Sequence, residues 1–426
     1  GGDCPNRACV PTKVLLQAAG LLKSARRAED FGVFSERVTL DFSKLMERKD
    51  RVVNLLTGER LKRVLDQRGI SLFAGRAVFK SDSEIEVNGK TISAEKFIIA
   101  TGSKPRIPPV QGLQEVGYIT SNEAVSLKEL PASIAIIGAG SVGVEFAQIF
   151  SSFGVKTILI EVGDRLLLNE DDEISELLKN YVSEEGVDVI IGAQVESVAV
   201  KDNRKMITLA DSSGTRTVFA DEIMIAAGRD PSVDGLILEA AGVELDAHGI
   251  LVDDYLRTTA ENIWACGDIT GKLLYTHVAT YQGDLAGYNA FEDRHDKEDL
   301  SIVPRVTFCD PEVAGVGLTE GEARKQGFNV VVGRMPNRYL GKSLITGERR
   351  GLVKLIIDGT NQRILGGHIV GTQASELVHE IAVAMKSGMT VETLAEVIHA
   401  YPSMAEGVEA AAASVVMKET EEERAA

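Results

Sequence analysis

The sequence predicts an α/β protein of several domains, with one parallel-sheet domain and a C-terminal α+β domain. At 426 residues the chain is too long for a single hydrophobic core. Residues 132–227 alternate strand-like and helix-like segments, which favours a parallel sheet with crossover helices. From about residue 303 strand pairs come first and helices follow at 374–387 and 406–417, which is typical of an α+β domain.

The N-terminal third predicts two helical stretches followed by a small sheet. Helical apolar spacing runs over residues 12–28 and 41–68, and the second stretch ends at Gly69, a typical helix C-cap. Residues 70–100 hold short β-rich runs separated by Gly, Asn and Asp, and end on a buried strand. The prolines of SKPRIPPV then indicate a linker.

Composition narrows the class of protein. The chain is 44% hydrophobic and 26% charged, which is typical of a soluble folded protein. A formal net charge of −17 argues against nucleic acid or an anionic membrane as a partner, because both are polyanions. The most apolar stretch, IAIIGAGSVGVEFAQIF, contains three glycines and Glu145, so we expect no membrane segment there. Without a visible signal peptide or a disulfide scaffold, the sequence predicts a cytoplasmic protein.

A glycine motif predicts a dinucleotide site. Gly138, Gly140 and Gly143 form GxGxxG between an apolar strand and a helix, and the strand after that helix ends in Glu161. The glycines allow a tight turn, close approach to a pyrophosphate and close helix packing. The acid would accept from a ribose 2′-OH and repel a 2′-phosphate, so NAD is favoured over NADP, although Arg165 lies close. The alternative is a glycine-rich turn in an ordinary α/β unit.

Two of the four cysteines lie in the opening stretch GGDCPNRACVPTK, at Cys4 and Cys9. Residues five apart in a regular helix have Cα atoms roughly 8–9 Å apart, whereas a disulfide needs about 4.4–6.8 Å. If the two cysteines are bonded, the segment between them is therefore not a regular helix, and Pro5 fits that requirement. A redox pair, two buried thiols and half of a metal site are the alternatives. No Cys or His cluster completes a zinc site, so we predict no metal site.

Seven motifs in order carry a resemblance to a known family. GGDCPNRACVPTK is followed by ATGSKPRIPP, GAGSVGVEFA, AAGRDP, TTAENIWACGD, VTFCDPEVAGVGLTE and HAYPSMAEG. Together they resemble the FAD-dependent pyridine nucleotide-disulfide oxidoreductases, which include lipoamide dehydrogenase, glutathione reductase and mercuric reductase. The resemblance implies FAD and NAD as cofactors and a homodimer formed through the C-terminal domain.

The resemblance also implies domain boundaries. Family members carry an FAD-binding βαβ unit before the Gly-Gly-x-Cys segment, and this chain begins at that segment, so we expect a fragment of a longer sequence. The implied parts are the first part of an FAD-binding domain at 1–131, an NAD(P)-binding domain at 132–227, the returning part of the FAD-binding domain at 228–300, a dimerisation domain at 301–418 and a charged tail at 419–426.

Roles for the opening stretch follow from the resemblance. Cys4 would be the interchange thiol that meets the substrate, and Cys9 the thiol that contacts the flavin. Lys13 would lie by flavin N5 and pair with Glu145, because a cation there favours electron density on flavin and thiolate.

Further cofactor-contacting residues are implied by the later motifs. Gly102, Gly228 and Asp268 match the segments that line the cofactors, and Asp268 would accept from a ribityl hydroxyl. The helix that starts near Thr276 and carries Ala279 would direct its N-terminus at the flavin. Cys266 and Cys309 are expected to be packed and unreactive.

The segment HAYPSMAEG departs from the thiol reductases. They place His directly before the Pro and Glu five residues later, whereas this chain has Tyr401 before Pro402 and keeps Glu406. A tyrosine is weaker as a base than histidine by roughly 5 kcal/mol at neutral pH. His399 is expected to be structural. Mercuric reductases have Tyr in that place but also a cysteine pair at their C-terminus, which this chain lacks.

The function predicted is that of an NADH-dependent, FAD-containing dithiol/disulfide oxidoreductase, similar to mercuric reductase, with Tyr401 and Glu406 as candidate catalytic residues. Its substrate would be a small-molecule disulfide or a metal ion. The alternatives are dihydrolipoamide dehydrogenase and, because the first FAD-binding unit is not in the sequence, a non-catalytic nucleotide-binding and dimerisation fragment.

Overall fold

The computed structural model describes residues 2–34, 36–292 and 295–425, with side chains given outside 59–60 and 418–425. It divides into two compact units. The first unit comprises Gly1–Val10, Asp50–Ile107 and Gly228–Leu300, and the second comprises Pro11–Lys49, Pro108–Ala227 and Ser301–Ala426. Side chains of the predicted charged tail lie outside the described residues.

The helices are given in chain order. They are α1 Asp3–Arg7, α2 Cys9–Arg26, α3 Phe42–Thr57, α4 Glu59–Gln67, α5 Leu113–Val116, α6 Ser121–Ala124, α7 Ser141–Ser152, α8 Asp172–Glu184, α9 Thr276–Phe291, α10 Glu320–Lys325, α11 Gly341–Thr346, α12 Ala374–Ser387, α13 Val391–Ala395 and α14 Glu406–Ala425. Short 3₁₀ turns cover Ala28–Phe31, Leu238–Ala241, Gly267–Thr270 and Asn337–Tyr339.

The strands are likewise given in chain order. They are β1 Ala77–Phe79, β2 Glu84–Val87, β3 Lys90–Ser93, β4 Phe97–Ile99, β5 Ser103–Pro105, β6 Ser133–Ile137, β7 Lys156–Ile160, β8 Asp188–Ile190, β9 Gln194–Lys201, β10 Arg204–Asp211, β11 Gly214–Ala220, β12 Glu222–Ile225, β13 Arg229–Pro231, β14 Ile263–Ala265, β15 Arg305–Thr307, β16 Glu312–Gly317, β17 Val330–Pro336, β18 Leu352–Asp358 and β19 Arg363–Gly371.

The first unit is built from small sheets. Strands β1, β2 and β3 form an antiparallel meander, β14 pairs in parallel with β4, and β13 pairs antiparallel with β5. The predicted small sheet is therefore present, but its last strand, β4, pairs with a strand from late in the chain. The β13–β5 pair places Arg229 opposite Pro105 and Pro231 opposite Ser103.

The second unit contains the predicted parallel sheet. Its strand order is β12-β6-β7-β8, and α7 connects β6 to β7 as a crossover helix. A five-stranded antiparallel sheet, β15-β16-β19-β18-β17, forms the predicted α+β part, with β17 a strand that the sequence did not predict. Both sheets have buried apolar cores. The α/β fold class with a nucleotide-binding sheet is confirmed.

One predicted helix is broken. The helical pattern over 41–68 is split into α3 and α4 at Gly58, whose φ of −76° and ψ of −146° are not helical. Glycine carries the largest entropic cost in a helix, so the helix breaks at this residue. Gly69 adopts the left-handed φ of 68° expected just after a helix. None of the helices in the described ranges is both apolar and long enough to span a bilayer.

Candidate active site

The opening cysteine segment is not a regular helix. Helix α1 ends at Arg7 and α2 begins at Cys9, and Ala8 between them has φ −124° and ψ −101°. Pro5 lies in the first turn of α1, where a missing backbone N–H costs least. Cys4 and Cys9 are both half-buried. The segment between them thus meets the condition that a Cys4–Cys9 bond requires, and the bond itself stays a prediction.

Cys9 lies at two helix N-termini in the first unit. It is the first residue of α2, and its Sγ lies 3.3 Å from Oγ1 of Thr276, the first residue of α9. The positive ends of helix dipoles favour thiolate over thiol. Cys9 therefore occupies a place where a thiolate is stabilised.

Asp268 belongs to a polar network. The hydroxyl group of Ser103 donates a hydrogen bond to the Asp268 carboxylate. Arg229 in turn donates from Nε to Ser103 Oγ at 2.6 Å, and its Nε lies 3.8 Å from Asp268. Sequence reasoning missed Ser103 and Arg229, although each directly follows a glycine that it had selected, Gly102 and Gly228.

A pocket of about 100 Å³ opens beside this network. It is lined by Ser103, Arg106, Arg229, Pro231, Ala247, His248, Asp268, Gly271 and Leu274. Two guanidinium groups and a histidine can bind anionic oxygens, while the carboxylate can accept from a hydroxyl. The donor set fits a ligand that carries both phosphate and hydroxyl groups, as FAD does.

Two glycines and one alanine that the sequence singled out lie in different surroundings in this unit. Gly102 and Gly228 have left-handed φ values of 70° and 102°, which only glycine adopts without strain. Ala279 on α9 places its methyl 3.2 Å from where a Cβ on Gly267 would lie. Ala279 thus packs against the turn that holds Asp268.

The glycine motif of the second unit has the geometry of a phosphate-binding turn. A Cβ on Gly138 would lie 2.4 Å from Ala226 O, and one on Gly143 would lie 1.8 Å from Gly138 O. Nothing lies within 4 Å of a Cβ on Gly140, the N-cap of α7. The turn therefore leaves open space in front of a helix N-terminus, which fits a pyrophosphate.

Glu161 supports the same turn. It is 8% exposed, and its carboxylate accepts from Ala139 N at 2.7 Å and from Gly163 N at 2.8 Å. The nearby Arg165 guanidinium contacts Leu168 O at 3.2 Å and Asp172 at 3.1 Å. Glu161 therefore fixes the loop, and its contact with a ribose stays a prediction.

Lys13 and Glu145 form a bidentate ion pair in the second unit. Lys13 Nζ lies 2.7 and 2.9 Å from the two carboxylate oxygens of Glu145. Glu145 also accepts from Phe308 N at 2.9 Å, and the Phe308 ring centroid lies 4.8 Å from Lys13 Nζ. The side chain of Glu145 is 4% exposed and that of Lys13 is 34% exposed. A buried carboxylate thus holds a lysine that keeps an open side.

The two candidate catalytic residues near the C-terminus, Tyr401 and Glu406, differ in their surroundings. Tyr401 is 78% exposed, and its phenol oxygen would lie 2.9 Å from a Cβ on Gly341. Glu406 begins α14 and accepts from Ser403 N at 2.8 Å. Glu406 therefore has a capping contact in this structure, and its catalytic role stays a prediction.

His399 is held by contacts at both ring nitrogens. Nε2 lies 2.6 Å from a Glu380 carboxylate oxygen and Nδ1 lies 2.8 Å from Val397 O. Burial opposes the charged form, but the hydrogen bond with Glu380 outweighs it and raises the pKa of His399 above its usual value. This setting agrees with the structural role that the sequence predicted.

The other two cysteines are packed. Burial raises the pKa of the Cys266 thiol, and burial together with the Glu145 charge raises the pKa of Cys309 well above its usual value. Neither is poised for thiolate chemistry. Within the described residues, no three His, Cys, Asp or Glu side chains are grouped so as to hold a metal ion.

Comparison with known proteins decides the family. The sequence pattern of the pyridine nucleotide-disulphide oxidoreductases matches residues 1–283, about two thirds of the chain. The chain belongs to this family. The dimerisation domain of the same oxidoreductases matches residues 303–412, which supports the predicted homodimer.

The relatives that match this chain include two kinds of enzyme, mercuric reductases and dihydrolipoyl dehydrogenases. The mercuric reductase of Bacillus cereus is 35% identical over 96% of this chain, which spans 65% of that enzyme's length. The dihydrolipoyl dehydrogenase of Chlamydia muridarum is 36% identical over 95% of this chain and 87% of that enzyme. The two sequence identities are nearly equal, so they do not decide between the two activities.

A solved structure shares the fold. The HOCl-induced flavoprotein disulfide reductase RclA from Escherichia coli superposes with a TM-score of 0.86 at 30% identity, over 96% of this chain and 90% of that one. Members of this family use FAD and NAD(P)H. The open turn at Gly140 and the pocket at Asp268 fit those cofactors.

Proposed function

We propose that this oxidoreductase passes electrons from NADH through FAD to a Cys4–Cys9 disulfide and on to a metal ion or a disulfide, in the manner of a mercuric reductase. Tyr401 carries the metal-ion part of the proposal. It is a highly exposed phenol where thiol reductases need a histidine base, while the nearby His399 is occupied by Glu380 and Val397.

The residues of the chain then have separate tasks. FAD, when bound, accepts a hydride from the nicotinamide and passes two electrons to a disulfide. Two electrons break the Cys4–Cys9 bond and leave two thiolates, and Cys9 keeps its negative charge at the starts of α2 and α9. Lys13, held by Glu145, supplies a fixed positive charge.

Cys4 would be the thiol that meets the substrate. With a disulfide substrate, its thiolate forms a mixed disulfide and releases one substrate thiolate. Cys9 then attacks Cys4, releases the second thiolate and restores the original disulfide. With Hg(II), the two thiolates bind the ion and give up two electrons to it, which leaves Hg(0) and restores the Cys4–Cys9 disulfide.

The preference for NADH is supported by two side chains. Glu161 places a negative charge at the end of β7, which disfavours a 2′-phosphate. Arg165, the cation that could offset this charge, is paired with Asp164 and Asp172. The cation that could bind a 2′-phosphate therefore already has two carboxylate partners.

A metal ion as substrate is also supported by the relatives. Three mercuric reductases match at 34–35% identity. One solved structure of Escherichia coli RclA is that of its Cu(II) complex. Tyr401 would supply a phenol oxygen as a further ligand for such an ion.

Dihydrolipoyl dehydrogenase activity is the second candidate. The chain spans 87–90% of the dihydrolipoyl dehydrogenases it matches, against 65–76% of the mercuric reductases. These dihydrolipoyl dehydrogenases are 32–36% identical to this chain, against 34–35% for the mercuric reductases, which is a reason to test both substrates on one preparation.

The test measures NADH oxidation by the FAD-containing protein with Hg(II), lipoamide and oxidised glutathione in separate assays. We expect the fastest turnover with Hg(II) and a loss of about tenfold or more in Tyr401→Phe, because one metal ligand is removed. Tyr288→Phe, a partly exposed tyrosine on α9, is the control and should keep its rate.

Tyr401→His is the complementary variant. If Tyr401 excludes thiol exchange by lacking a base, the histidine should raise turnover with lipoamide. Wild-type turnover with lipoamide alone would favour the second candidate. Bound flavin without turnover of any of the three substrates would contradict both, and a preparation without flavin would favour the non-catalytic alternative.

A further inference from the structure

The residue that precedes Cys4 in the sequence belongs to a charged pair in the first unit. Asp3, the residue before Cys4, accepts from Arg229 Nη2 at 2.6 Å. The Asp3 side chain is 33% exposed and that of Arg229 is 22% exposed, so the pair is partly shielded from water. Arg7 also approaches Asp3, at 3.3 Å, but it is 57% exposed and its charge is better screened.

Arg229 is held from the other side as well. It donates from Nε to Ser103 Oγ at 2.6 Å and from Nη2 to Ser103 O at 2.8 Å. Ser103 donates in turn to Asp268. The single guanidinium therefore lies between the carboxylate next to Cys4 and the carboxylate predicted to contact FAD.

The side chain of Arg229 is not needed to hold its own strand. The backbone of β13 is already paired with β5, and Arg106 N donates to Gly228 O at 2.9 Å. The guanidinium reaches away from this ladder to Asp3. Its position is thus better explained by the charge it meets than by the strand it belongs to.

We propose that Asp3 and Arg229 are positioning residues that set the fraction of Cys4 present as thiolate. Asp3 opposes ionisation of the neighbouring thiol, and Arg229 offsets Asp3 and favours ionisation. This deepens the proposed function and rests on it, because the ionisation of Cys4 matters only if Cys4 is the thiol that meets the substrate.

The two side chains then have opposite effects, which a scaffold would not show. Removal of Arg229 leaves two carboxylates without their cation, so the thiolate fraction falls. Removal of the Asp3 charge leaves Arg229 uncompensated on that side, so the thiolate fraction rises. Removal of both charges restores a value close to that of the wild type.

The experiment measures alkylation of Cys4 by iodoacetamide between pH 6 and 9 in protein reduced with dithiothreitol, with each cysteine quantified by peptide mass spectrometry. At pH 7 we expect Arg229→Met to slow alkylation of Cys4 by about threefold to tenfold and Asp3→Asn to speed it by a similar factor. The double variant should lie within about twofold of wild type. Lys104→Met, an exposed lysine of β5 paired with Asp234, is the control for loss of one positive charge.

The direction in which each variant changes the alkylation rate of Cys4 decides the test. Shifts of Arg229→Met and Asp3→Asn in the same direction, or shifts no larger than that of Lys104→Met, would overturn the inference. If Arg229→Met does not fold by circular dichroism, Asp3→Asn alone decides, since only faster alkylation agrees with the proposal. The readout needs no turnover, so failure of the proposed function shows separately as absent NADH oxidation with a normal alkylation pattern.

Discussion

Two lysine–carboxylate pairs of the second unit differ in what surrounds them. Lys13 has one carboxylate partner given by the structure, Glu145, and its side chain is 34% exposed. Lys354 on β18 is 3% exposed and lies 2.8 Å from Asp171, 3.1 Å from Glu173 and 2.8 Å from Glu320. The same chemical pair is thus open in one place and enclosed in the other.

The positive charge of the enclosed lysine, Lys354, is balanced by the carboxylates around it. Burial disfavours the charge of Lys354, but Asp171 and Glu320 outweigh it, and the pKa of Lys354 is raised. Burial likewise opposes ionisation of Asp171, but Lys354 outweighs it and the pKa of Asp171 is lowered. An ammonium has three N–H donors, and three carboxylates leave none for a ligand. The comparison indicates a structural role for Lys354, whereas the open side of Lys13 is compatible with the chemical role that we propose for it.

The largest effect is expected when the enclosed lysine is removed. Lys354→Met leaves Asp171 buried without its cation, which should cost about 3–5 kcal/mol in the free energy of unfolding, measured with urea. Lys325→Met, an exposed lysine of α10, should change it by under about 0.5 kcal/mol. Equal losses in the two variants would remove the distinction between the pairs.

Removal of the open lysine should affect the reaction more than the fold. Lys13→Met should lower NADH-dependent turnover by about 100-fold, because the fixed charge that we propose for the reaction is lost. Lys23→Met is the control on the same helix, since Lys23 also pairs with a carboxylate, Glu185. We expect it to keep its turnover per bound flavin, and an equal loss in Lys23→Met would contradict a chemical role for Lys13.

Acid should weaken the enclosed pair selectively. Because the pKa values of Asp171 and Glu320 are lowered in the fold, their stabilisation is complete above their unfolded-state values and is lost as pH falls through the folded-state values. The difference in unfolding free energy between wild type and Lys354→Met should therefore narrow from about pH 5 to about pH 3, because the unfolded-state pKa values are near 4.5 for Glu320 and 3.8 for Asp171. Urea titrations at both pH values measure it, and a constant difference would be inconsistent with this linkage.

The smallest effect is expected at the partly exposed pair of His399 and Glu380. Since the pKa of His399 is raised, its stabilisation is complete below about pH 6.5 and is lost as pH rises through the folded-state value. His399→Gln should cost under about 1 kcal/mol at pH 6 and less at pH 9. A larger cost at pH 9 than at pH 6 would show that the neutral form is the stabilising one.

Local features were predictable from the sequence, and distant pairings were not. The turn from Gly138 to Gly143 lies within one strand–turn–helix, so spacing alone indicates it. The pair of Lys13 and Glu145 is 132 positions apart and was expected only through the family resemblance. Asp3 and Arg229 are 226 positions apart, and no periodic pattern joins them.

The enclosed lysine shows where sequence reasoning could have gone further. Lys354 lies inside the apolar run LVKLIID, and every residue of that strand is buried. A lysine in such a run must be paired, because an isolated buried charge is too costly. The sequence alone cannot name its partners, since Asp171 and Glu320 come from other elements of the chain.

The space around each glycine of the GxGxxG turn determines which substitutions the turn tolerates. At Gly138 and Gly143 even a methyl group would meet backbone atoms, so any replacement harms folding itself. At Gly140 a methyl group would meet only open space, so a replacement there would leave the fold intact and spoil the approach of a phosphate. In a variant library selected for soluble protein, Gly138 and Gly143 should therefore remain glycine, whereas Gly140 should accept other residues. Selection for nucleotide binding should retain glycine at all three positions.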